Sequence, residues 1–209
     1  MHKTRVKICG ITSVADACDA VAAGADAIGL VFYEKSPRFV SIGSARDIVN
    51  AVGPFVQTVG LFVNSQAAKV EQAIRETGIG LLQFHGDEDE NFCRSFSRPY
   101  IKAIRMQADI DPDVVASQFG SAQGLLFDAY CEDRYGGTGK SFDWQRLPQE
   151  PGYPLILAGG LTPDNVRQAV TRVKPYAVDV SGGVESSPGT KSSTLVKQFI
   201  ENAKAGDFP

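Results

Sequence analysis

One pattern occurs eight times along the chain: a short apolar run rich in β-branched or aromatic residues, leading towards a helical stretch. The runs lie at 5–11, 27–33, 57–63, 81–85, 100–105, 124–129, 154–158 and 177–181. Runs of this length read as strands, and apolar positions recurring at three- and four-residue intervals read as the buried stripe of a helix. Val14, Ala17, Cys18, Val21 and Ala22 make one stripe, and Val70, Ala73 and Ile74 another. Further along come Val166, Ala169, Val170 and Val173, then Leu195, Val196, Phe199, Ile200 and Ala203. Helix-start signals agree: Ser13 stands three residues before Asp16, and Thr162 precedes Pro163. Gly24 and Gly78 mark stops.

Strands alternating with helices predict a parallel sheet, and eight such units predict a closed (β/α)₈ barrel, the TIM-barrel form of the α/β class. An open doubly wound sheet usually carries a GxGxxG turn after its first strand. Here that strand ends in Cys9-Gly10-Ile11-Thr12, without the fingerprint. No linker or composition break divides residues 1–209, so a single domain is expected; the longest loop-like stretch is 132–142.

The 209 residues can bury a sizeable core, and a net charge of −3 gives no general attraction for nucleic acid or an acidic membrane. An anionic ligand must therefore be held by local groups. The start has no signal-peptide core, and no stretch approaches the roughly 20 apolar residues of a membrane span, so a cytoplasmic protein is expected. Cys9, Cys18, Cys93 and Cys131 are widely spaced, with no CxxC pair to suggest a metal site. Nothing in the pattern separates a monomer from a homodimer.

In such a barrel, function gathers where strands end. Alternation puts Lys7 and Cys9 on one face of the first strand and Val6 and Ile8 on the other. The apolar face suits the helices, so Lys7 and Cys9 should point inward, where a nearby cation lowers a thiol's pKa from about 8.5. Cys18, within a helical stripe, reads as a small buried hydrophobe. After strand two, Arg38 is placed either to be solvated or to grip a carboxylate through a two-pronged contact. His85 ends strand four as a polar residue lining the mouth. On strand six a carboxylate against the helix layer would be too costly, so Asp128 should face the mouth, paired with an inward lysine or serving as a general acid. Closure would bring the first and last strands together, letting Asp179 approach Lys7 as a buried pair.

Glycines follow the last three strands: Gly136-Gly137-Thr138-Gly139, Gly159-Gly160 and Ser181-Gly182-Gly183. Three clusters on one quadrant of the rim read as a neutral nest of backbone N–H groups for an anion. Gly137, Gly139, Gly159, Gly160, Ser181, Gly182 and Gly183 are the candidate phosphate ligands. Such a nest would let a slightly acidic chain bind an anion.

Taken in order, KICGIT (7–12), FYEKSPRFV (32–40), QFHGDE (83–88), FDAY (127–130), GGTGKSFDW (136–144), LAGGLTPDNV (157–166) and DVSGGVE (179–185) resemble the motifs of the phosphoribosylanthranilate isomerases across nearly the whole chain. The resemblance implies an intramolecular oxidoreductase of tryptophan biosynthesis that works without metal or organic cofactor. Its small substrate carries a phosphate and a carboxylate. The residue matching Cys9 would be the general base, that matching Asp128 the general acid, and that matching Arg38 the ligand of the anthranilate carboxylate. Gly182 departs from the family's usual second serine, which puts that hydroxyl's contribution to phosphate binding in doubt. Two rival readings are another phosphosugar aldose–ketose isomerase, expected to use two aspartates, and a non-catalytic sensor of phosphorylated ligands.

Overall fold

A computed structural model describes residues 3–129 and 142–206. Eight parallel strands close into a barrel: β1 (Arg5–Cys9), β2 (Ala27–Val31), β3 (Gln57–Phe62), β4 (Leu81–Phe84), β5 (Tyr100–Met106), β6 (Leu125–Ala129), β7 (Leu155–Leu157) and β8 (Ala177–Val180). Each begins within a residue of the start expected from sequence, and most end one or two residues early. The helices are α1 (Val14–Ala22), α2 (Ile42–Val52), α3 (Ala67–Thr77), α4 (Glu90–Cys93), α5 (Pro112–Gln118), α6 (Val166–Val173) and α7 (Ser193–Lys204). Between β6 and β7 the described residues hold only a 3₁₀ turn, Trp144–Arg146. A hairpin of β9 (Glu185–Ser187) and β10 (Thr190–Lys191), which the sequence pattern did not announce, follows β8.

Alternation sorts the side chains. Val6, Ile8, Leu30, Phe84, Leu125, Phe127 and Val178 face the helices in the main core, while Ile101, Ala103, Leu126, Ile156 and Ala158 fill the barrel. Cys9, Val31, Leu61 and Val63 form a separate interior cluster. Sheet closure sets Lys7 opposite Asp179 in the β1–β8 register.

Local signals act as expected at several helix ends. Ser13 accepts a hydrogen bond from the Asp16 N–H at 3.1 Å. Gly24 and Gly78 take positive φ, which glycine adopts without steric cost. The regular part of α6 begins at Val166, yet Val166 N–H already donates to Thr162 C=O at 3.1 Å. Asn165 reaches back to accept from Thr162 N–H and donates to Gly160 C=O, both at 2.8 Å, bracing the turn after β7.

Cys18 corrects the sequence reading: it is exposed. The buried ridge of α1 is Ala17 and Ala20, with Val14 turned outward. The helix lies between α2 and α7 and presents a narrow face to the strands. Packing against α2 and α7 sets its rotation, turning the alanines inward and Cys18 out. No helix among the described residues is long and apolar enough to cross a membrane.

Candidate active site

One pocket at the carboxyl ends of the strands brings together Cys9, Arg38, His85, Asp128, Asp179, Gly159, Gly160, Ser181, Gly182 and Gly183. Gly137 and Gly139 lie outside the described residues. Lys7 does not line the pocket; it is buried beneath it, its Nζ 2.9 Å from Asp179 Oδ1.

The neighbouring lysine does not decide the state of the Cys9 thiol. Burial pushes its pKa above the ordinary cysteine range; Lys7 and Lys191 pull it down, and Asp179 adds to the rise. The expected lowering is thus overturned, because a thiolate in a dry site loses more hydration than a partly neutralised lysine returns. Burial also disfavours charge on Lys7, but Asp179 and Cys9 outweigh it and hold that ammonium more firmly than usual. Gly29, beside Cys9 on β2, leaves room for both: a Cβ there would come within 2.7 Å of Cys9 Sγ and 3.1 Å of Lys7 Nζ.

Asp128 faces the mouth, and its partner is a histidine where an inward lysine was one expectation. Its Oδ1 accepts from Ala129 N–H at 2.8 Å, and its Oδ2 lies 3.2 Å from His85 Nε2. That contact is close but out of line for a hydrogen bond. Gln83 Nε2 stands 3.2 Å from His85 Nδ1. An amide N–H donated there leaves the imidazole proton on Nε2, the nitrogen beside Asp128. Gln83 is a residue that sequence reasoning missed, although its place two residues before His85 puts both on one face of the strand.

Arg38 reaches the pocket, but Nε and Nη2 each lie 2.7 Å from Glu185, on Oε1 and Oε2 respectively. Lys191 Nζ lies 2.8 Å from the same Oε1 and 3.1 Å from Ser181 C=O. Glu185 loses hydration by burial, yet bonds from Arg38 and Lys191 hold its carboxyl below the usual range. Burial lowers Lys191, with Glu185 resisting. Glu185 closes the DVSGGVE motif and could have been noticed. Lys191 carries no sequence signal.

The two glycine turns differ in what they demand. Gly159 has φ +83°, and a Cβ there would meet Ala129 backbone N and stand 3.0 Å from Asp128 Oδ1. A Cβ at Gly183 would run into Leu161 C=O. The backbone at 182–184 makes a short 3₁₀ turn beside the pocket, the kind of feature that presents N–H groups to phosphate in such barrels. Behind the His85 loop, buried Glu88 accepts from Asn64 N–H at 2.7 Å and Gly86 N–H at 2.9 Å, and pairs with Lys102 at 2.9 Å.

An eight-stranded barrel with a thiol, a carboxylate and two glycine turns at one mouth places the chain among the (β/α)₈ enzymes. A family model for N-(5'-phosphoribosyl)anthranilate (PRA) isomerase matches residues 6–202. The chain belongs to that isomerase family. A relative from Pseudomonas aeruginosa with that enzyme's name is 53% identical over 205 residues, 98% of this chain and 97% of the relative. The phosphoribosyl anthranilate isomerase structure from Thermotoga maritima superposes with a TM-score of 0.85 at 38% identity, covering 97% of this chain and 99% of that one. Another structure of the T. maritima enzyme describes it as dimeric. An isomerase in complex with reduced 1-(o-carboxyphenylamino)-1-deoxyribulose 5-phosphate gives a TM-score of 0.82 at 38% identity, with the same coverage.

Proposed function

We propose that the chain, acting as one catalytic domain over 1–209, converts N-(5-phosphoribosyl)anthranilate to 1-(2-carboxyphenylamino)-1-deoxyribulose 5-phosphate, with Asp128 as general acid and Cys9 as general base. The carrying observation is that both groups line one pocket with the glycine turns after β7 and β8. Asp128 protonates the furanose ring oxygen as the C1–O bond breaks and the nitrogen lone pair forms C=N. That iminium acidifies C2–H. The Cys9 thiolate takes the proton, the C–H electrons become C1=C2, and the C=N pair returns to nitrogen. The enolamine then loses its hydroxyl proton and gains one at C1, giving the ketone. Placed acid and base groups contribute about 10²–10⁴-fold each.

The phosphate belongs at the turns 159–160 and 181–183, with Gly137 and Gly139 as further candidates, and the carboxylate at Arg38. Direct turnover of phosphoribosylanthranilate, followed by loss of its fluorescence, tests the assignment. A folded protein that binds the substrate without converting it would be a sensor, and the proposal would fail. Dependence on a free thiol at Cys9 supports a reducing, cytoplasmic setting.

For assembly, we propose a homodimer through the opposite face. Phe55, between α2 and β3, is 98% exposed. It borders a cavity of about 730 Å³ at the strands' amino ends, with Pro54, Val56 and Tyr176 also on its wall. A knob beside a hollow is self-complementary under two-fold symmetry, and the T. maritima relative is described as dimeric.

A further inference from the structure

The carboxylate subsite contains an ion set that Arg38 alone does not explain. With Nε and Nη2 on Glu185, the guanidinium is matched by one carboxylate and offers a second one no net charge. Lys191 changes that sum. Its side chain is 2% exposed, against 6% for Glu185 and 13% for Arg38. The three together carry one net positive charge where the local dielectric makes it count. Lys191 also holds the carbonyl of Ser181, whose Oγ is buried without a partner in the wall of the pocket. Gly10 permits this closeness, since a Cβ there would lie 2.5 Å from Arg38 Cδ and 2.9 Å from Ser181 Oγ.

We infer that Glu185 and Lys191 are positioning residues that set the preference for a carboxylated substrate, Glu185 by cancelling the charge of Arg38 and Lys191 by restoring it. The inference rests on the reading of Arg38 as the carboxylate ligand. Neither residue lines the pocket, so both act through Arg38.

Two probes isolate the effect: reduced 1-(o-carboxyphenylamino)-1-deoxyribulose 5-phosphate and its counterpart lacking the carboxylate. Their affinity ratio reports carboxylate recognition, because the phosphate contribution cancels. Lys191→Met, which leaves the set neutral, should lower the ratio about tenfold, the scale of one charge-assisted contact. Glu185→Gln should hold or raise it. The double variant Glu185→Gln with Lys191→Met regains one net charge and should return the ratio to within about threefold of the unaltered protein. A merely structural role makes the double variant at least as impaired as Lys191→Met, and that result overturns the inference. So does an unchanged ratio in Lys191→Met. If Lys191→Met does not fold, the double variant decides alone: a tenfold fall in its ratio also overturns the inference. Arg38→Met separates the two levels. A collapsed ratio there supports the carboxylate reading, whereas an unchanged one defeats that reading and this inference with it.

Discussion

His85 Nε2 lies 3.2 Å from Asp128 Oδ2, two strands apart across the mouth of the barrel. With Gln83 against its other nitrogen, we propose that the imidazole positions the carboxylate by contact and charge rather than contributing a second acid. His85→Asn should therefore lower kcat about tenfold to a hundredfold, less than loss of the acid itself, with little change in KM. A raised KM at normal kcat would make His85 a substrate ligand instead.

Cys9→Ala and Asp128→Ala should each reduce kcat by about 10²–10⁴-fold while leaving affinity for the reduced product analogue nearly intact. Single-turnover rates measured beside analogue binding check this. Near-normal kcat in either variant removes that residue from the chemistry.

The rate should rise with pH as Cys9 ionises. Because burial raises that pKa, the acid limb of kcat/KM is expected above the ordinary cysteine value of about 8.5. Lys7 lowers the Cys9 pKa and Asp179 raises it. Lys7→Met should then move the limb to higher pH, and Asp179→Asn should move it lower. Shifts in the same direction would contradict this electrostatic account.

Gly159→Ala should damage stability and catalysis together. Its φ of +83° disfavours a side chain, at a cost of about 1–3 kcal/mol. The added Cβ would also press on the Ala129 N–H that Asp128 Oδ1 uses. A lower Tm with reduced kcat is the expected outcome; native values of both would show that the turn yields without disturbing Asp128.

Phe55→Glu should convert a dimer to single chains in light scattering while leaving kcat unchanged, since the site lies on the opposite face. A single-chain mass for the unaltered protein would rule out the proposed assembly.

Much of this is legible in the sequence. Period-two alternation on β1 correctly turned Lys7 and Cys9 inward, and the cost of burying a carboxylate correctly oriented Asp128. The Lys7–Asp179 pair followed from closure alone. Along α1 the expected stripe ran through Val14 and Cys18, but the buried ridge runs through Ala17 and Ala20, so Cys18 was misplaced. The hairpin 185–191 was invisible because its strands are too short to show alternation.

By itself, the sequence determined the barrel, the inward faces of its strands and the glycine turns, since these follow from backbone periodicity and from which residues tolerate a given φ. Only the tertiary structure decided what each charge meets: Glu185 on Arg38, Lys191 on Glu185, His85 on Asp128. It also reversed the expected direction of the Cys9 shift. Electrostatic and desolvation energies depend on distance and burial in space, and these partners stand as far as 147 residues apart in the chain.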